Sequence, residues 1–218
     1  MSAEETNTET KPDLSRLPFR LITLMGLVSL VLYHWLPDQM PIHWDRWGHA
    51  DFFVHKSVGA FLMPLFAALI CDGLRLLDRL SPAGMEVARF QDAFDATVAC
   101  LAAFLTFIHL MMLAVALGCG IAVHRVVPFS IGLLVTAIGC YLPQFKRNWW
   151  AGIRTPWSLT SEQAWDETHR QAGPLWVTGG LLLAVTGWFA AALPWLWALV
   201  WIGLIGATLY LSWSCRRD

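Results

Sequence analysis

The chain has 218 residues, 56% of them hydrophobic and 14% charged, and a formal net charge of −1. This composition lies outside the range of ordinary soluble domains, and the near-neutral charge gives no reason to expect a direct nucleic-acid partner. The five cysteines are widely spaced and form no CxxC pair, which argues against a disulfide framework. The apolar residues come in long blocks with few charges, which is the pattern of membrane spans. We therefore predict an integral membrane protein without a cofactor.

Six apolar blocks approach the roughly 20 residues that a membrane-crossing helix needs. In chain order they cover residues 17–36, 58–77, 96–116, 126–142, 175–193 and 195–213. No signal-peptide cleavage site follows the first block, so we predict that this block is a retained span. Pro194 between the last two blocks stops one helix and starts the next. The sequence therefore predicts an all-α bundle of six transmembrane helices.

The basic residues alternate between rich and poor connecting segments. If the N-terminus lies inside, twelve of the 15 lysines and arginines fall in inside segments, and three fall outside: Arg46, Lys56 and Arg125. Because insertion favours basic loops on the cytoplasmic side, we predict that both termini are cytoplasmic. The loop of residues 37–57 then lies on the outer side, and the loop of residues 144–174 lies on the inner side.

The outer loop contains five side chains of the types that bind metal ions: His43, Asp45, His49, Asp51 and His55. Their spacing matches no recognised ligand pattern, and Pro37, Pro41 and Gly48 indicate an irregular loop. The loop is therefore a metal site, a binding surface for an extracellular peptide, or a compact cap at the outer interface. The cap would be built from four aromatic residues: Trp44, Trp47, Phe52 and Phe53.

Two histidines, His34 and His109, fall within predicted spans. Ionisable groups inside a membrane are costly and mark candidate functional sites. The simpler interpretation is a neutral imidazole that is hydrogen-bonded between two helices. Asp72 lies near the inner end of the second block, where its carboxylate can reach water.

The inner loop begins with the stretch NWWAGIRTPW, in which Gly152 and Pro156 indicate a turn. Three tryptophans suit the headgroup layer of the membrane, where an aromatic ring is half in hydrocarbon and half in water: Trp149, Trp150 and Trp157. Arg154 lies among them and can stack on an indole or hold a lipid phosphate. Membrane lipids are therefore expected partners of this stretch.

The second half of the inner loop has the pattern of a short helix. Thr160 and Gln163 form a capping box, and Glu162 suits the positive end of the helix dipole. Gly173 and Pro174 are expected to end the helix. One face is apolar and consists of Ala164, Trp165, Thr168 and Ala172, with His169 at its edge. We therefore predict an interfacial helix on the inner leaflet.

The inner loop has three possible roles on these residues. It is an anchor that sets the angle between two spans, or it presents a recognition or signalling surface, or Glu162 and His169 carry out acid–base chemistry. The surface would consist of Arg154, Trp157, Glu162 and His169. No nucleophile or further ligand accompanies the Glu162–His169 pair, so the sequence favours a protein that is not an enzyme.

Both loops carry motifs that resemble a known family. The stretch PDQMPIHWDRWGHAD, followed by Lys56, resembles an N-terminal region of unknown function in the SdpI family of bacterial membrane proteins, of the form P-x-x-x-P-x-H-(aromatic)-x-x-x-G-x-x-D. The stretch NWWAGIRTPWSLTSEQAWDETHRQAG is similar to the family signature N-(W/F)-x-x-G-I-R-T-P-W-T-L-S-x-x-x-x-W-x-x-T-H-x-x-x-G. Together with the span pattern, the resemblance covers residues 36–183.

The resemblance implies a membrane immunity protein that protects a bacterium against a secreted antimicrobial peptide toxin. It also implies signalling to a cytoplasmic transcriptional repressor held at the membrane, and a location in the bacterial cytoplasmic (inner) membrane. The chain then divides into a polar cytoplasmic tail (residues 1–16), a first helix pair with the structured outer loop 37–57 (residues 17–80), and a four-helix SdpI-like region with the inner loop 144–174 (residues 81–218). The alternative is a metal-dependent or lipid-handling membrane enzyme, or a transporter.

The resemblance also assigns most of the candidate binding or signalling residues. The inner ones are Asn148, Gly152, Arg154, Thr155, Pro156, Trp157, Trp165, His169 and Gly173, and the outer ones are His43, Gly48, Asp51 and Lys56. Trp149 and Glu162 are added for their places in the inner loop. Ser158 departs from the pattern, since the family often has threonine there, and the N-terminal tail of this chain is acidic. These departures leave the particular toxin and repressor open.

Overall fold

The computed structural model of the chain describes residues 13–216, so most of the predicted tail lies outside the described residues. These residues form six α-helices: α1 (Leu17–Leu32), α2 (Lys56–Asp78), α3 (Gln91–Ala116), α4 (Val123–Tyr141), α5 (Glu162–Gly187) and α6 (Pro194–Ser214). Short 3-10 helices, Val87–Phe90 and Leu142–Gln144, precede α3 and follow α4. An antiparallel pair of strands, β1 (Gln39–Trp44) and β2 (Ala50–His55), joins α1 to α2. The predicted helical architecture is confirmed, and the hairpin is an element that the sequence did not predict.

Four helical segments of the described chain are long and apolar enough to cross a membrane: Lys56–Leu76, Val87–Ala116, Val123–Gln144 and Pro194–Ser214. The helix α1 is apolar but has only 16 residues, because the chain turns towards the hairpin after Leu32. The helix α5 has 26 residues, but its first half is polar. The protein is therefore a multi-pass helical membrane protein, in which α1 and α5 are shorter apolar segments than the sequence predicted.

The helices run back and forth, so the connecting segments gather at two opposite ends of the bundle. At the hairpin end, the hairpin, the start of α4 and the turn between α5 and α6 line one cavity. At the signature end, the loop of residues 145–161 contacts the α2–α3 connection, where Trp150 Nε1 donates to Ser81 Oγ (2.9 Å). The same loop contacts the end of α6 through Thr155 and Ser212. The predicted outer and inner loops therefore lie at opposite ends of the protein.

Among the helices of the described chain, α4 and α5 make the most extensive contact with each other. A Cβ added to Gly132 of α4 would lie 2.2 Å from the backbone nitrogen of Ala184. A Cβ added to Gly180 of α5 would lie 2.5 Å from the backbone nitrogen of Thr136. Since any side chain at these glycines would force the two backbones apart, glycine is what allows the contact. This closely packed pair lies between the two ends of the bundle.

The predicted end of the interfacial helix at Gly173 and Pro174 is wrong. The helix α5 runs through both residues without interruption. A proline inside a helix removes one backbone hydrogen bond, but the packing of α5 against its neighbours outweighs that loss. Gly173 lies so close to Pro143 that an added Cβ would be 2.5 Å from the proline Cγ. The predicted interfacial helix is therefore the first half of α5.

The start of α5 also differs from the predicted capping box. Ser161 is the N-cap, and its Oγ accepts a hydrogen bond from the backbone nitrogen of Ala164 (3.1 Å). Thr160 Oγ1 donates instead to the carbonyl of Trp157 (2.7 Å). The apolar face that contains Trp165 is buried inside the protein. That face packs on the rest of the bundle and is not laid on the leaflet.

The two histidines of the predicted spans have different environments. His109 of α3 is fully buried, and its Nε2 lies 3.0 Å from Ser29 Oγ and 3.2 Å from the carbonyl oxygen of Met25. It is thus hydrogen-bonded between two helices, as predicted. His34 follows the end of α1 and is exposed, because α1 ends at Leu32 and the hairpin connection begins there.

Candidate functional site

The outer loop is a β-hairpin with a built turn. Asp45 Oδ1 accepts hydrogen bonds from the backbone N–H groups of Trp47 (2.8 Å) and His49 (2.9 Å). Gly48 has a φ of 87°, in the left-handed region that favours glycine. An aspartate that bonds backbone N–H groups two and four residues later is a common turn device. The predicted irregular loop is therefore wrong, because this turn closes two paired strands.

Two outer candidates, His43 and Lys56, have carboxylate partners. His43 Nδ1 lies 2.6 Å from Asp51 Oδ1 across the two strands. Lys56 Nζ lies 3.1 Å from Asp38 Oδ1, and its hydrogen bond holds the pKa of Asp38 below the usual value. Lys56 Nζ also donates to the carbonyl of Leu36 (3.3 Å). Lys56 therefore joins the segment after α1 to the start of α2.

The five candidate metal ligands are not brought together. His43 pairs with Asp51, His49 Nδ1 lies 3.2 Å from Asp45 Oδ2, and His55 bonds to a neighbouring serine. Among the side chains that the structure describes, no three His, Cys, Asp or Glu residues are grouped to hold a metal ion. Strand pairing spreads these five residues along the hairpin. The metal-site interpretation therefore has no support in the geometry.

The aromatic residues of the hairpin do not pack into the predicted compact cap. Trp47, Phe52 and Phe53 are 50%, 57% and 49% exposed. The guanidinium carbon of Arg46 lies 4.3 Å from the centre of the Trp47 ring, a cation–π geometry. Trp44 is partly buried and lines the cavity behind the hairpin. Exposed rings at this end are typical of a membrane interface or a binding surface.

A cavity of about 460 Å³ lies between the hairpin and the helices behind it, and we name it the hairpin cavity. Its walls come from residues 42–46 of the hairpin, from the first turns of α4, and from the turn and first residues of α6. The hairpin is seated on α4 at Gly48, where an added Cβ would lie 2.6 Å from His124 Nδ1. Sequence reasoning missed this cavity, because its walls come from three segments far apart in the chain.

Asn148 is the fourth residue of the signature loop, which we define as residues 145–161, and it is fully buried. Its Nδ2 donates to the carbonyls of Lys146 (2.8 Å) and Ala151 (3.0 Å). Its Oδ1 accepts from the backbone N–H groups of Trp150 and Ala151, both at 2.8 Å. The side chain thus uses both donors and both acceptor positions on the backbone of its own loop. Asn148 therefore fixes the shape of the loop.

Thr155 and Ser158 form a second closed set of hydrogen bonds. The Thr155 N–H donates to Ser158 Oγ (3.0 Å), and the Ser158 N–H donates to Thr155 Oγ1 (3.1 Å). Ser158 Oγ also donates to the carbonyl of Ile153 (2.7 Å). Thr155 Oγ1 bonds to Ser212 Oγ of α6. The hydroxyl at position 158, where serine replaces the family's threonine, is therefore fully used inside the loop.

His169 lies buried beneath the signature loop. Its Nε2 accepts a hydrogen bond from the N–H of Ile153 (2.9 Å), and its Nδ1 donates to the carbonyl of Trp165 (2.9 Å). The ring also stacks on Trp165, with 4.1 Å between the ring centres. Burial lowers the pKa of His169 to about 4, so the ring is neutral. Gly152 has a φ of 106°, and an added Cβ there would lie 2.5 Å from His169 Nε2.

Glu162 has a partner other than His169. Its Oε1 lies 2.8 Å from Nη1 of Arg89, which belongs to the connection before α3. The hydrogen bond from Arg89 holds the pKa of Glu162 below its usual value. Because both ring nitrogens of His169 bond to backbone groups, the acid–base interpretation of this pair is wrong. Glu162 instead ties the start of α5 to the α2–α3 connection, a contact that the sequence did not indicate.

The outward part of the signature loop is an exposed surface around Arg154. The guanidinium carbon of Arg154 lies 5.7 Å from the centre of the Trp149 ring. Arg154, Trp149 and Pro156 are exposed, whereas Trp157 is half-buried. We name Trp149, Arg154 and Pro156 the Arg154 surface. The signature residues thus separate into a buried set that holds the loop and an exposed set that is available for contact.

Residues 144–214 match the family model described as the SdpI/YfhL protein family. The predicted resemblance to the SdpI family is confirmed. Residues 21–68 match the model of a domain of unknown function, DUF1648. The chain is also similar to Immunity protein SdpI of Bacillus subtilis (strain 168), with 24% identity over 169 residues that make up 78% of this chain and 79% of that protein. No solved structure matches the chain.

The SdpI region and the DUF1648 region occupy different parts of the bundle. The SdpI region holds the signature loop, α5 and α6, and the DUF1648 region holds most of α1, the hairpin and the first half of α2. The two regions meet at the hairpin cavity, where residues 42–46 face Ala191 and Trp197. Ser81 and Arg89, the partners of the signature end, lie outside both matched regions.

Proposed function

We propose that the protein is a membrane immunity protein that protects a bacterium against a secreted antimicrobial peptide toxin. The observation that carries the proposal is the similarity to Immunity protein SdpI over 78% of the chain. The two matched family regions, which contain the hairpin and the signature loop, support it. Such a protein needs a surface that faces the toxin and a stable scaffold behind it. The hairpin end suits the first role, and the signature end suits the second.

The proposed arrangement has six spans, with the hairpin end outside, both termini in the cytoplasm and the protein in the cytoplasmic membrane. The distribution of basic residues and the back-and-forth course of the helices support it. The short apolar segments of α1 and α5 are accommodated by local thinning of the bilayer. In this arrangement α1 and α2 form the first pair within residues 17–80, and α3 to α6 form the four-helix region within residues 81–218.

Labelling of Cys119 tests this orientation, because Cys119 is exposed in the α3–α4 connection at the hairpin end. In spheroplasts, a membrane-impermeant maleimide should label the wild-type chain and should not label Cys119→Ser. Arg154→Cys is placed in a background that carries both Cys119→Ser and Cys140→Ser, because Cys140 is also exposed. It should be labelled only after the membrane is permeabilised. The reverse pattern of labelling would contradict the orientation.

The site residues take three roles in this proposal. The outer residues His43, Gly48, Asp51 and Lys56 shape the end that meets the toxin. The exposed residues of the Arg154 surface, with Trp157 beside them, contact a cytoplasmic repressor or lipid headgroups. The remaining signature residues hold the loop and its link to the α2–α3 connection: Asn148, Gly152, Thr155, Glu162, Trp165, His169 and Gly173.

Signalling to a membrane-held transcriptional repressor is the second role that we propose. The observation that favours it is the Arg154 surface, in which an exposed guanidinium lies over an exposed indole. On the cytoplasmic side such a surface offers a cation and an aromatic face to a protein partner. Signalling and protection are then separable, because they use opposite ends of the bundle.

Survival of a deletion strain against a panel of membrane-active peptides tests the immunity function. The deletion should sensitise the strain to at least one peptide, and the wild-type gene should restore survival. His43→Ala should restore survival less well than its control, His55→Ala, which changes a histidine of the same hairpin. Unchanged sensitivity of the deletion strain to every peptide would overturn the proposal.

The signalling role is tested with Arg154→Ala in the same strain. This variant should restore survival but lose the transcriptional response that peptide exposure induces. Arg216→Ala is the matched control, since Arg216 also stacks on an indole at this end, with 3.8 Å to the Trp213 ring centre. A full transcriptional response in Arg154→Ala would contradict the signalling role and leave the immunity function standing.

A further inference from the structure

β1 is an edge strand that borders the hairpin cavity. In the described chain the sheet has two strands, so β1 is paired with β2 along one side only. Residues 42–44 at the end of β1 line the cavity together with the turn residues Asp45 and Arg46. As the edge of a two-stranded sheet, this end of β1 carries backbone N–H and C=O groups beside the cavity. Such an edge accepts an extended peptide as an added strand.

The wall opposite β1 is largely apolar, and His124 of α4 is a polar residue in it. It includes Val127 and Pro128 of α4 and Trp197 of α6. Ala190 and Ala191, whose side chains are short, leave the space open. The volume of about 460 Å³ falls within the range of roughly 300–1,000 Å³ that is typical of ligand pockets. The cavity is therefore suited to an apolar side chain.

Arg46 is the cation that the hairpin leaves available at the cavity. The neighbouring carboxylates have other partners, since Asp45 bonds to His49 and Asp51 bonds to His43. Arg46 stacks on Trp47, and a stacked guanidinium keeps its in-plane N–H groups free for a carboxylate. A carboxylate and an apolar side chain are thus recognised side by side. On a peptide, the C-terminal apolar residue carries both groups.

We propose that the hairpin cavity binds the C-terminal apolar residue of an extended peptide. The side chain enters the cavity, the backbone pairs with the free edge of β1, and the terminal carboxylate bonds to Arg46. A lipid offers an acyl chain and a phosphate, but it has no backbone N–H groups for the strand edge, so a peptide fits better. The proposal deepens the immunity function and rests on it only for the source of the peptide, the secreted toxin.

Calorimetric titration of the full chain in phosphatidylcholine nanodiscs tests the binding mode. The probe is the tetrapeptide acetyl-Thr-Val-Leu-Phe with a free C-terminal carboxylate, and saturable binding is expected. The C-terminal amide of the same peptide should bind about tenfold more weakly, because it loses a charge-assisted hydrogen bond. Arg46→Gln should weaken the free acid to the level of the amide and leave the amide unchanged. Arg125→Gln, at an exposed arginine outside the cavity, is the control.

Backbone pairing is tested with two singly N-methylated peptides, one at the Val nitrogen and one at the Leu nitrogen. Adjacent N–H groups of a strand point to opposite sides, so one methylation should weaken binding about tenfold and the other should change it little. Ala191→Phe, which fills the cavity, should abolish binding. Ala192→Phe adds the same ring at an exposed neighbour that does not line the cavity, and should retain binding.

Several results would overturn the proposal: no binding of the peptide, equal binding of the acid and the amide, or full binding by Ala191→Phe. Displacement of the peptide by phosphatidylglycerol, with no effect of either N-methylation, would make the cavity a lipid site instead. If peptide binding fails while the deletion strain still loses protection, the binding mode is wrong and the immunity function stands. If the peptide binds as described and the deletion strain is unchanged, the immunity function is wrong and the binding site stands.

Discussion

The two ends of the bundle use polar and aromatic residues in opposite ways. At the signature end Asn148 and His169 are buried and bond to backbone groups, and Trp165 is fully enclosed. At the hairpin end Trp47 and Phe52 are about half exposed, and a cavity stays open behind them. Burying polar groups is costly unless each one is hydrogen-bonded, so the signature loop is held in one shape. Much of a family signature can therefore encode a scaffold, while the groups available to a ligand lie elsewhere.

The largest effect that would test this contrast comes from truncating one aromatic residue at each end. Trp165→Ala removes a fully buried ring whose Nε1 donates to the carbonyl of Phe145 (2.8 Å). It should lower the free energy of unfolding by about 3–5 kcal/mol, the cost of emptying a buried aromatic site. Phe53→Ala, at the exposed hairpin, should lower it by less than about 1 kcal/mol. Thermal unfolding in detergent, monitored by circular dichroism, measures the stability of both variants. Equal losses of stability in the two variants would contradict the difference between the two ends.

The second test uses pH, because burial keeps His169 neutral at pH values between about 4 and 6.5, where an exposed histidine becomes protonated. Its pKa is about 4 in the folded protein and 6.5 when unperturbed, so the unfolded chain binds more protons between these values. The free energy of unfolding is therefore highest above pH 6.5. It falls by about 3 kcal/mol as the pH is lowered to 4, because the unfolded chain takes up a proton on His169 and the folded chain does not. The unfolding temperature of the wild type should therefore fall over this range.

Two substitutions identify the group that causes this pH dependence. His169→Gln should unfold at a temperature that changes much less between pH 6.5 and pH 4, although the variant is less stable at neutral pH. His43→Gln, at the exposed hairpin, should keep the slope of the wild type. A wild-type slope in His169→Gln would assign the acid sensitivity to other groups and would contradict the buried neutral imidazole.

A smaller loss is expected from Asn148→Ala. The substitution leaves the carbonyls of Lys146 and Ala151 and the N–H groups of Trp150 and Ala151 without their partner. The free energy of unfolding should fall by about 2–3 kcal/mol, since some of these groups regain water when the loop relaxes. Gln163→Ala, at an exposed amide in the first turn of α5, should change it by less than about 0.5 kcal/mol. Urea titration of the two variants gives the comparison.

The helical bundle could be predicted from the sequence, because a membrane span depends on local hydrophobicity over about 20 residues. The ends of the helices could not. Pro174 indicates a break, but close packing between α4 and α5 carries the helix through it. The block 17–36 indicates a full span, but the chain leaves the helix after Leu32 to form the hairpin. At Pro174 the packing of two helices overrode the local pattern, and after Leu32 the pairing of β1 with β2 did.

The candidate site could be predicted in its residue types and not in their orientation. The motif around Asn148 and His169 indicated important residues, but their partners are backbone groups that only the folded loop brings within reach. Asp45 and Gly48 are turn residues, and they were the available signal for the hairpin. The prolines on either side of Met40 indicated an irregular loop instead. No sequence pattern indicates the hairpin cavity, since its three walls meet only in the folded chain.

The smallest expected effect on stability is at the hairpin, and it divides the two ends most sharply. Asp51→Asn removes a carboxylate from its exposed contact with His43 (2.6 Å). An exposed pair of this kind stabilises little, so the unfolding temperature should change by less than about 2 °C. On the proposed function, the same variant should protect the deletion strain less well, because the charge pattern of the outer end changes while the scaffold stays intact. A fall in unfolding temperature as large as that of Asn148→Ala would mean that the hairpin is itself part of the scaffold, and the toxin-facing surface would then have to lie elsewhere at this end.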